Sequence, residues 1–441
     1  MKSYLMAPEK TPKREIISWA LYDFANSSYT TVVITFVYSA FFMSYIIPPE
    51  LAHLKNSLWA ATISLSTLIS IFAAPYIGAL CDITGRKKQY LGVCTLTSVI
   101  STALLYFVGP NDLALGMFLL VISNTAWMLS ESFNASFLTD ISNEKNIGSV
   151  SGFGWGIGYI GGLLSLILVF MIITASAENN IQQYIHQNQL AMLMIALFYG
   201  IAALPLFFVV KQTPPTPLTK EGNKISSSQL LLLAWQQIRQ LKSLSRDKPS
   251  MFQFFLAFLV YTAGVAVVVK FMGIYATEEI GISGAELIIV GATLQVSSMI
   301  GAILFGLLDD KVGSKAAILY SIALWVLGVC AIYFLASLSY WTNISMSQLF
   351  IVICFIAGSA LGATQSSSRA IVGRFASGQD SAFIFGLWGT FSRLAIILAM
   401  LFGPLSDLVG RQNSLLLILV YFLIGAFLLI KVPVNKALNS H

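Results

Sequence analysis

Gly78-Ala-Leu-Cys-Asp82-Ile-Thr-Gly85-Arg86-Lys-Lys88-Gln-Tyr-Leu91 decides the reading of this chain. Apolar runs lie on both sides of it, residues 57–80 before and 90–109 after. Each is close to the ~20 residues that carry a helix across a bilayer. The stretch therefore reads as a short, charged, tight turn between two membrane helices. A degraded copy, Gly306-Leu-Leu-Asp-Asp310-Lys-Val-Gly313-Ser-Lys315, lies between two apolar runs of the second half. The repeated turn predicts topology, internal symmetry and a moving part.

Composition agrees with that reading. The 441 residues are 57% hydrophobic and 10% charged, with a mean hydropathy of +0.79. A soluble domain carries roughly 25% charged residues, so this chain cannot cover itself with polar surface and lipid is its expected solvent. Scanning for apolar runs predicts twelve spans, at residues 16–46, 57–80, 90–109, 114–138, 150–174, 189–210, 251–277, 286–308, 316–336, 348–370, 382–404 and 413–431. The fold class expected is an all-α membrane protein of twelve transmembrane helices in two six-helix bundles. Bundles at 1–210 and 251–441 are joined by a linker at 211–250.

Lysine and arginine placement orients the chain. With the N-terminus in the cytoplasm, nearly all of the 25 basic residues fall on the cytoplasmic side. Lys55 and Arg411 fall outside, and Lys270 and Arg393 fall within spans. This bias accounts for the net charge of +6 without a nucleic-acid partner. The first apolar run lacks a small-residue cleavage site, so it is read as a retained span and not a cleaved signal. Cys81, Cys94, Cys330 and Cys354 have no paired spacing, and His53, His186 and His441 lie far apart. No metal site, redox framework or cofactor is expected.

The linker opens with Lys211-Gln-Thr-Pro-Pro-Thr-Pro217, a stiff non-helical stretch. In Ser226–Ser245 the apolar residues Leu230, Leu233, Ala234, Ile238, Leu241 and Leu244 recur at helical spacing. That pattern predicts an amphipathic helix on the cytoplasmic leaflet, serving as a tether. The halves match at a second place. Phe153-Gly-Trp-Gly156 begins the fifth span and Phe385-Gly-Leu-Trp388-Gly389 the eleventh. Two six-span halves of like orientation give parallel repeats about an axis along the membrane normal.

On these residues the chain resembles the major facilitator superfamily, whose most specific motif is the Gly-x-x-x-Asp-x-x-Gly-Arg-Lys-Lys turn. A narrower resemblance covers three segments: Trp19-Ala-Leu-Tyr-Asp-Phe-Ala-Asn-Ser27, Phe133-Asn-Ala-Ser-Phe-Leu-Thr-Asp-Ile141 and Ser151-Gly-Phe-Gly-Trp-Gly-Ile-Gly-Tyr-Ile-Gly-Gly162. They look like the "unknown major facilitator" family, which includes the fungal vacuolar amino-acid effluxers. Two departures stand out. Thr139 sits where that family usually has proline, and Ser314 replaces the arginine of the second turn. The second departure implies a weaker gate in the second half, and with Gly373 and Arg374 standing where an Asp140-like acid would be, asymmetric gating is expected.

Polar stripes within the spans mark candidate site residues, because ionisable groups in a membrane are costly and face a cavity or each other. Asp23, Asn26, Ser27 and Thr30 share one face of the first span. Asn124, Trp127, Glu131 and Asn134 share one face of the fourth, and Gly358, Gly362, Gln365 and Arg369 one face of the tenth. The superfamily lines its cavity with the first, fourth, seventh and tenth spans, which implies that Glu131 and Arg369 face one another. Arg393, inside the eleventh span, needs a carboxylate partner or an anionic ligand. Trp388 is a softer candidate. Each has a structural alternative. Asp23 could serve only to hydrogen-bond a neighbouring helix, and Glu131 with Arg369 could be an ion pair holding the halves together. Lys270 is placed to snorkel to the headgroups. Gly154, Gly158 and Gly162 are read as a packing stripe.

For the opening turn, the gate set is Gly78, Asp82, Gly85, Arg86, Asp140 and Asp310. Asp82 can accept hydrogen bonds at a helix start, where partial positive charge collects. The resemblance places that start in the eleventh span near Asp380 and Ser381. Arg86 can pair with Asp140 at the end of the fourth span, the alternative being that Arg86, Lys87 and Lys88 only set orientation.

The function expected is a secondary transporter, not an enzyme. It would move a small polar or carboxylate-bearing, amino-acid-like solute by rocking two bundles about a midplane site. Export is the direction the resemblance implies, and protons are a candidate coupling ion through Glu131 or Asp23. The partners expected are that small-molecule substrate and the lipid bilayer, with the chain acting as a monomer in a bacterial inner membrane and both termini cytoplasmic. The alternative is a transport-dead sensor or a lipid-handling protein on the same fold.

Overall fold

The computed structural model describes residues 12–211, 232–236, 244–282, 285–376 and 380–433. Twelve helices among them are long and apolar enough to cross a membrane. They are Lys13–Ile46, Pro49–Thr84, Lys87–Phe107, Leu113–Ile141, Ile147–Ile172, Ile181–Val209, Pro249–Lys270, Ile289–Val312, Ser314–Tyr333, Met346–Phe375, Ser381–Ser406 and Gln412–Ile430. They match the twelve expected spans one for one, in order. Most of the amphipathic helix expected in the linker lies outside the described residues, apart from a helical piece at 232–236 and the start of Leu244–Asp247.

Large apolar side chains point outward along these helices. Phe72 is 71% exposed, Phe208 81% and Leu327 61%. In water such a surface would drive aggregation. It fits a lipid solvent, in which only a helix or closed barrel satisfies its backbone. The interior is correspondingly rich in small and hydroxyl residues, including Ser66, Ser70, Ser98, Ser123 and Ser130, all fully buried.

The first span is not a uniform α-helix. It passes into π-helical geometry at Thr30–Phe36 and again at Phe42–Ile46. Such widened turns recur at functional sites, and here they follow directly on the Asp23–Thr30 polar face. Proline sits inside two spans, Pro75 in the second and Pro205 in the sixth.

Both hairpin glycines carry the backbone through the left-handed half of φ space. Gly85 (φ 63°) closes the second span and Gly313 (φ 85°) precedes the ninth. A Cβ at such a φ costs roughly 1–2 kcal/mol. Gly85→Ala is expected to lower stability by about that amount, whereas Gly92→Ala, where the added atom meets only the Phe207 ring at 3.5 Å, should be near neutral. Thermal melts of the two variants in one detergent check the contrast.

By internal contacts the chain forms two compact units. The first holds Met1–Ser142, Ile157–Ala234 and Gly378–Gly389; the second holds Asn143–Gly156, Trp235–Ser377 and Thr390–His441. They depart from a plain six-plus-six division at two segments. The start of the fifth span packs within the second unit, and the start of the eleventh within the first. Both helices change unit at the glycine of the repeated Trp-Gly pair, Trp155-Gly156 and Trp388-Gly389.

Candidate functional site

The two hairpins hold these borrowed helix starts by one device. In the first unit, the Asp82 carboxylate accepts the backbone N–H of Ala382 at 3.0 Å on Oδ1 and that of Phe383 at 2.7 Å on Oδ2. In the second, Asp310 accepts from Gly148 at 2.8 Å and Ser149 at 2.9 Å, again one bond per oxygen. The first N–H groups of a helix have no partner within it and collect partial positive charge, so a carboxylate there is bound by hydrogen bond and dipole together.

Glycine makes the approach possible. A Cβ on Gly78 would lie 2.5 Å from the Ala382 carbonyl oxygen, and one on Gly386 2.6 Å from that of Ala74. In the second unit a Cβ on Gly306 would lie 2.6 Å from the Gly148 oxygen, and one on Gly152 2.3 Å from that of Ala302. The glycine face turned to the eighth span is therefore Gly148, Gly152 and Gly156. Of the expected stripe, Gly158 instead meets Ser27 and Asp23 of the first span, next to Gly161, which backs onto Phe24. The fifth helix serves different neighbours along its length, so one spacing rule did not describe it.

The base that meets Asp140 is Lys87, not Arg86. Lys87 Nζ lies 3.0 Å from Asp140 Oδ2, with both side chains almost fully buried. Gly85 turns the chain so that the third span starts at Lys87, which faces inward, while Arg86 stays outside and exposed. Two further lysines cap helix ends. Lys88 Nζ donates to the Phe207 carbonyl at 2.9 Å near the end of the sixth span. Lys315 donates to Ile430 at 2.7 Å and Val432 at 2.9 Å at the end of the twelfth. A cation suits the unpaired carbonyls and negative dipole of a helix end.

Within the first unit, the polar faces of the first and fourth spans meet. Asn134 Nδ2 donates to Asp23 Oδ1 at 2.7 Å, and Trp19 Nε1 donates to the Asn134 carbonyl at 2.8 Å. Trp127 Nε1 donates to the Asn26 carbonyl at 3.0 Å, and Tyr199 OH donates to Asn26 Oδ1 at 3.2 Å. Asp23, Asn26 and Asn134 are buried, while Trp127 and Glu131 are half-buried. Sequence reading missed the hydroxyls beneath this face. Tyr22 OH lies 2.6 Å from Thr95 Oγ1 and 3.2 Å from Tyr199 OH, which lies 3.0 Å from Ser130 Oγ. Tyr22 and Thr95 at i and i+73 carry no local signal of such a pairing.

Within the second unit, Arg369 bonds to the fifth span. Its Nη2 donates to the Ser151 carbonyl at 2.7 Å and its Nε to Ser151 Oγ at 3.1 Å, and the guanidinium lies 5.2 Å from the Trp155 ring. Next to it in sequence, Ser368 Oγ lies 2.8 Å from Tyr261 OH. Gln365 is half-buried and Arg393 is 3% exposed. Trp388, in the first unit, is buried edge-on to Phe385 with centroids 6.0 Å apart. No group of histidine, cysteine or acidic side chains with metal-binding geometry occurs among the described residues.

Twelve apolar helices with a duplicated acidic hairpin define a transporter-type membrane protein of the Major Facilitator Superfamily, whose model matches residues 4–166. Residues 139–441 match the model described as "Vacuole effluxer Atg22 like", and the chain belongs to that family. It is 26% identical over 422 residues to the MFS-type transporter YxiO of Bacillus subtilis (strain 168), covering 94% of each chain. It is 21% identical over 455 residues to autophagy-related protein 22 of Yarrowia lipolytica (strain CLIB 122 / E 150), covering 84% of this chain and 74% of that one. Among solved structures, the proton:xylose symporter XylE superposes with a TM-score of 0.71 at 15% identity, covering 96% of both chains. That likeness speaks to the fold.

Proposed function

We propose that this protein is a secondary transporter that exports a small, carboxylate-bearing, amino-acid-like solute by alternating access, with both termini in the cytoplasm of a bacterial cell. The observation that carries the reading is the duplicated contact between hairpin carboxylate and helix start. Asp82 and Asp310 each bind main-chain N–H groups of a helix from the other half of the sequence. Such contacts hold without interlocking side chains, so they can form and release as one end of the protein shuts and opens. The lysine and arginine bias puts that end at the cytoplasm.

Solute binding is assigned to the Asp23, Asn26, Trp127, Glu131 and Asn134 face of the first unit, and to Gln365 and Arg393 in the second. The aromatic Trp127 suits an amphipathic body and the Arg393 guanidinium a carboxylate. Export is favoured by membership in a family described as vacuole effluxers. Uptake of a coupling proton is assigned to Glu131, which is half-buried, or to Asp23.

The test is counterflow in proteoliposomes against a panel of amino acids, organic acids and sugars, with and without an imposed pH gradient. Exchange of a carboxylate-bearing solute is expected, and Asp82→Asn should slow it roughly 10- to 100-fold at unchanged membrane abundance, the loss of charge-assisted hydrogen bonding being about 1.5–3 kcal/mol. Exchange of sugars alone would overturn the substrate class. Full activity in Asp82→Asn would remove the hairpin from the mechanism, and indifference to the pH gradient would remove proton coupling.

A further inference from the structure

The second hairpin is less degraded than its sequence suggests. Arg374, in the last turn of the tenth span, reaches back to it. Its Nη1 donates to Asp309 Oδ1 at 2.5 Å and also meets Ser314 Oγ, while its Nη2 lies 3.8 Å from Asp310 Oδ1. Ser314 Oγ itself donates to Asp309 Oδ1 at 3.0 Å. The Asp309 side chain is fully buried and that of Arg374 is 9% exposed. Asp309 Oδ2 is buried with no hydrogen-bond partner among the described residues. In register with the first hairpin, Asp309 stands where that hairpin has Cys81, and Ser314 stands at the place of Arg86.

The first hairpin supplies a base, Lys87, to an acid at the end of the fourth span, Asp140. The second supplies an acid, Asp309, to a base at the end of the tenth. The layout is the same and the polarity is reversed. The arginine that stands in place of an Asp140-like acid thus meets an acid of the second hairpin, and lies 60 residues further along the chain than Ser314, which it also touches.

We propose that Arg374 and Asp309 form a second cytoplasmic clasp of inverted polarity, in which Arg374 is a positioning residue for Asp310. The clasp has a gating role only if the transporter reading holds. Asp309 and Asp310 are adjacent carboxylates at a buried site, and like charges there repel unless a cation balances them. Arg374 touches both. It holds Asp309 through Nη1 and leaves the Asp310 oxygens free to take the N–H groups of Gly148 and Ser149. Without it, two unbalanced acids share the site, and the hairpin shifts or Asp310 takes a proton. The start of the fifth span then loses its charged cap.

Hydrogen–deuterium exchange of the full chain in lipid nanodiscs tests this, because it needs no substrate. Arg374→Gln is expected to raise exchange of the amides in residues 147–153 by at least roughly 150-fold, the lower end of the scale of breaking a buried pair, and to leave residues 381–387 within about threefold of wild type. Arg374→Lys should recover at least about tenfold of that loss, since it restores the charge but not the fork. Adding Asp309→Asn to Arg374→Gln should also recover part of it, since it removes the like charge next to Asp310. The proposal is overturned by wild-type protection of 147–153 in Arg374→Gln, by equal loss at both helix starts, or by strictly additive effects in the double variant. A protein with the expected exchange pattern and no transport would keep the clasp and reject the transporter reading. A transporter without the pattern would do the reverse.

Discussion

Lys87→Gln is expected to destabilise the protein by roughly 3–5 kcal/mol, because it leaves a buried carboxylate without its cation. Asp140 then sits beneath the hairpin, its side chain 2% exposed, without the lysine 3.0 Å away. Arg86→Gln, one residue earlier on the exposed side of the turn, should stay within about 0.5 kcal/mol of wild type. Chemical or thermal unfolding in a single detergent separates the two. The charge-neutral double variant Lys87→Gln/Asp140→Asn should regain much of the loss, since replacing both partners removes the stranded charge. Should Arg86→Gln prove the more damaging single change, the pairing of Lys87 with Asp140 would not be the contact that matters.

Gly152→Val is expected to abolish the close crossing of the fifth and eighth spans. Even a methyl group at this position would sit 2.3 Å from the Ala302 carbonyl oxygen and 3.0 Å from Gly306 Cα. Both obstacles are backbone, so no side-chain rotation relieves them. Overpacking costs typically 1–3 kcal/mol when neighbours can give, and here a helix must move bodily. We expect Gly152→Ala to lose at least about 2 kcal/mol of that packing and Gly152→Val to expose the 147–156 amides to deuterium as far as loss of the Asp310 cap does. Gly386→Val should do the same at the start of the eleventh span, where the added atom meets Ala74 and Pro75. If Gly152→Val exchanges like wild type, the crossing is not a constraint.

Local and long-range information in the chain specify different parts of these contacts. The hairpin glycines, the acid four residues after Gly78 and its copy after Gly306 are local patterns, and they led to twelve spans in two repeated halves and to the residues that meet helix starts. Arg86 and Lys87 were not separable that way. Both are basic, both follow Gly85, and the side of the turn each takes is set by where the third helix begins against the end of the fourth. Arg369 is similar. A guanidinium inside a span demands partners, and nothing local in the sequence pointed to the main-chain carbonyl of Ser151 as one of them.

By itself, then, the amino-acid order determined the solvent of this protein, the number and order of its membrane helices and its internal duplication, because apolar length, helical period and a tight charged turn are properties of contiguous residues. Tertiary structure alone decided which base closes on which acid, which glycines lie at a crossing, and that an arginine of the tenth span completes the second hairpin with reversed charge. Those choices depend on how closely distant helices approach, and in a membrane that distance is set by packing and hydrogen bonds between spans, which leave no periodic trace along the chain.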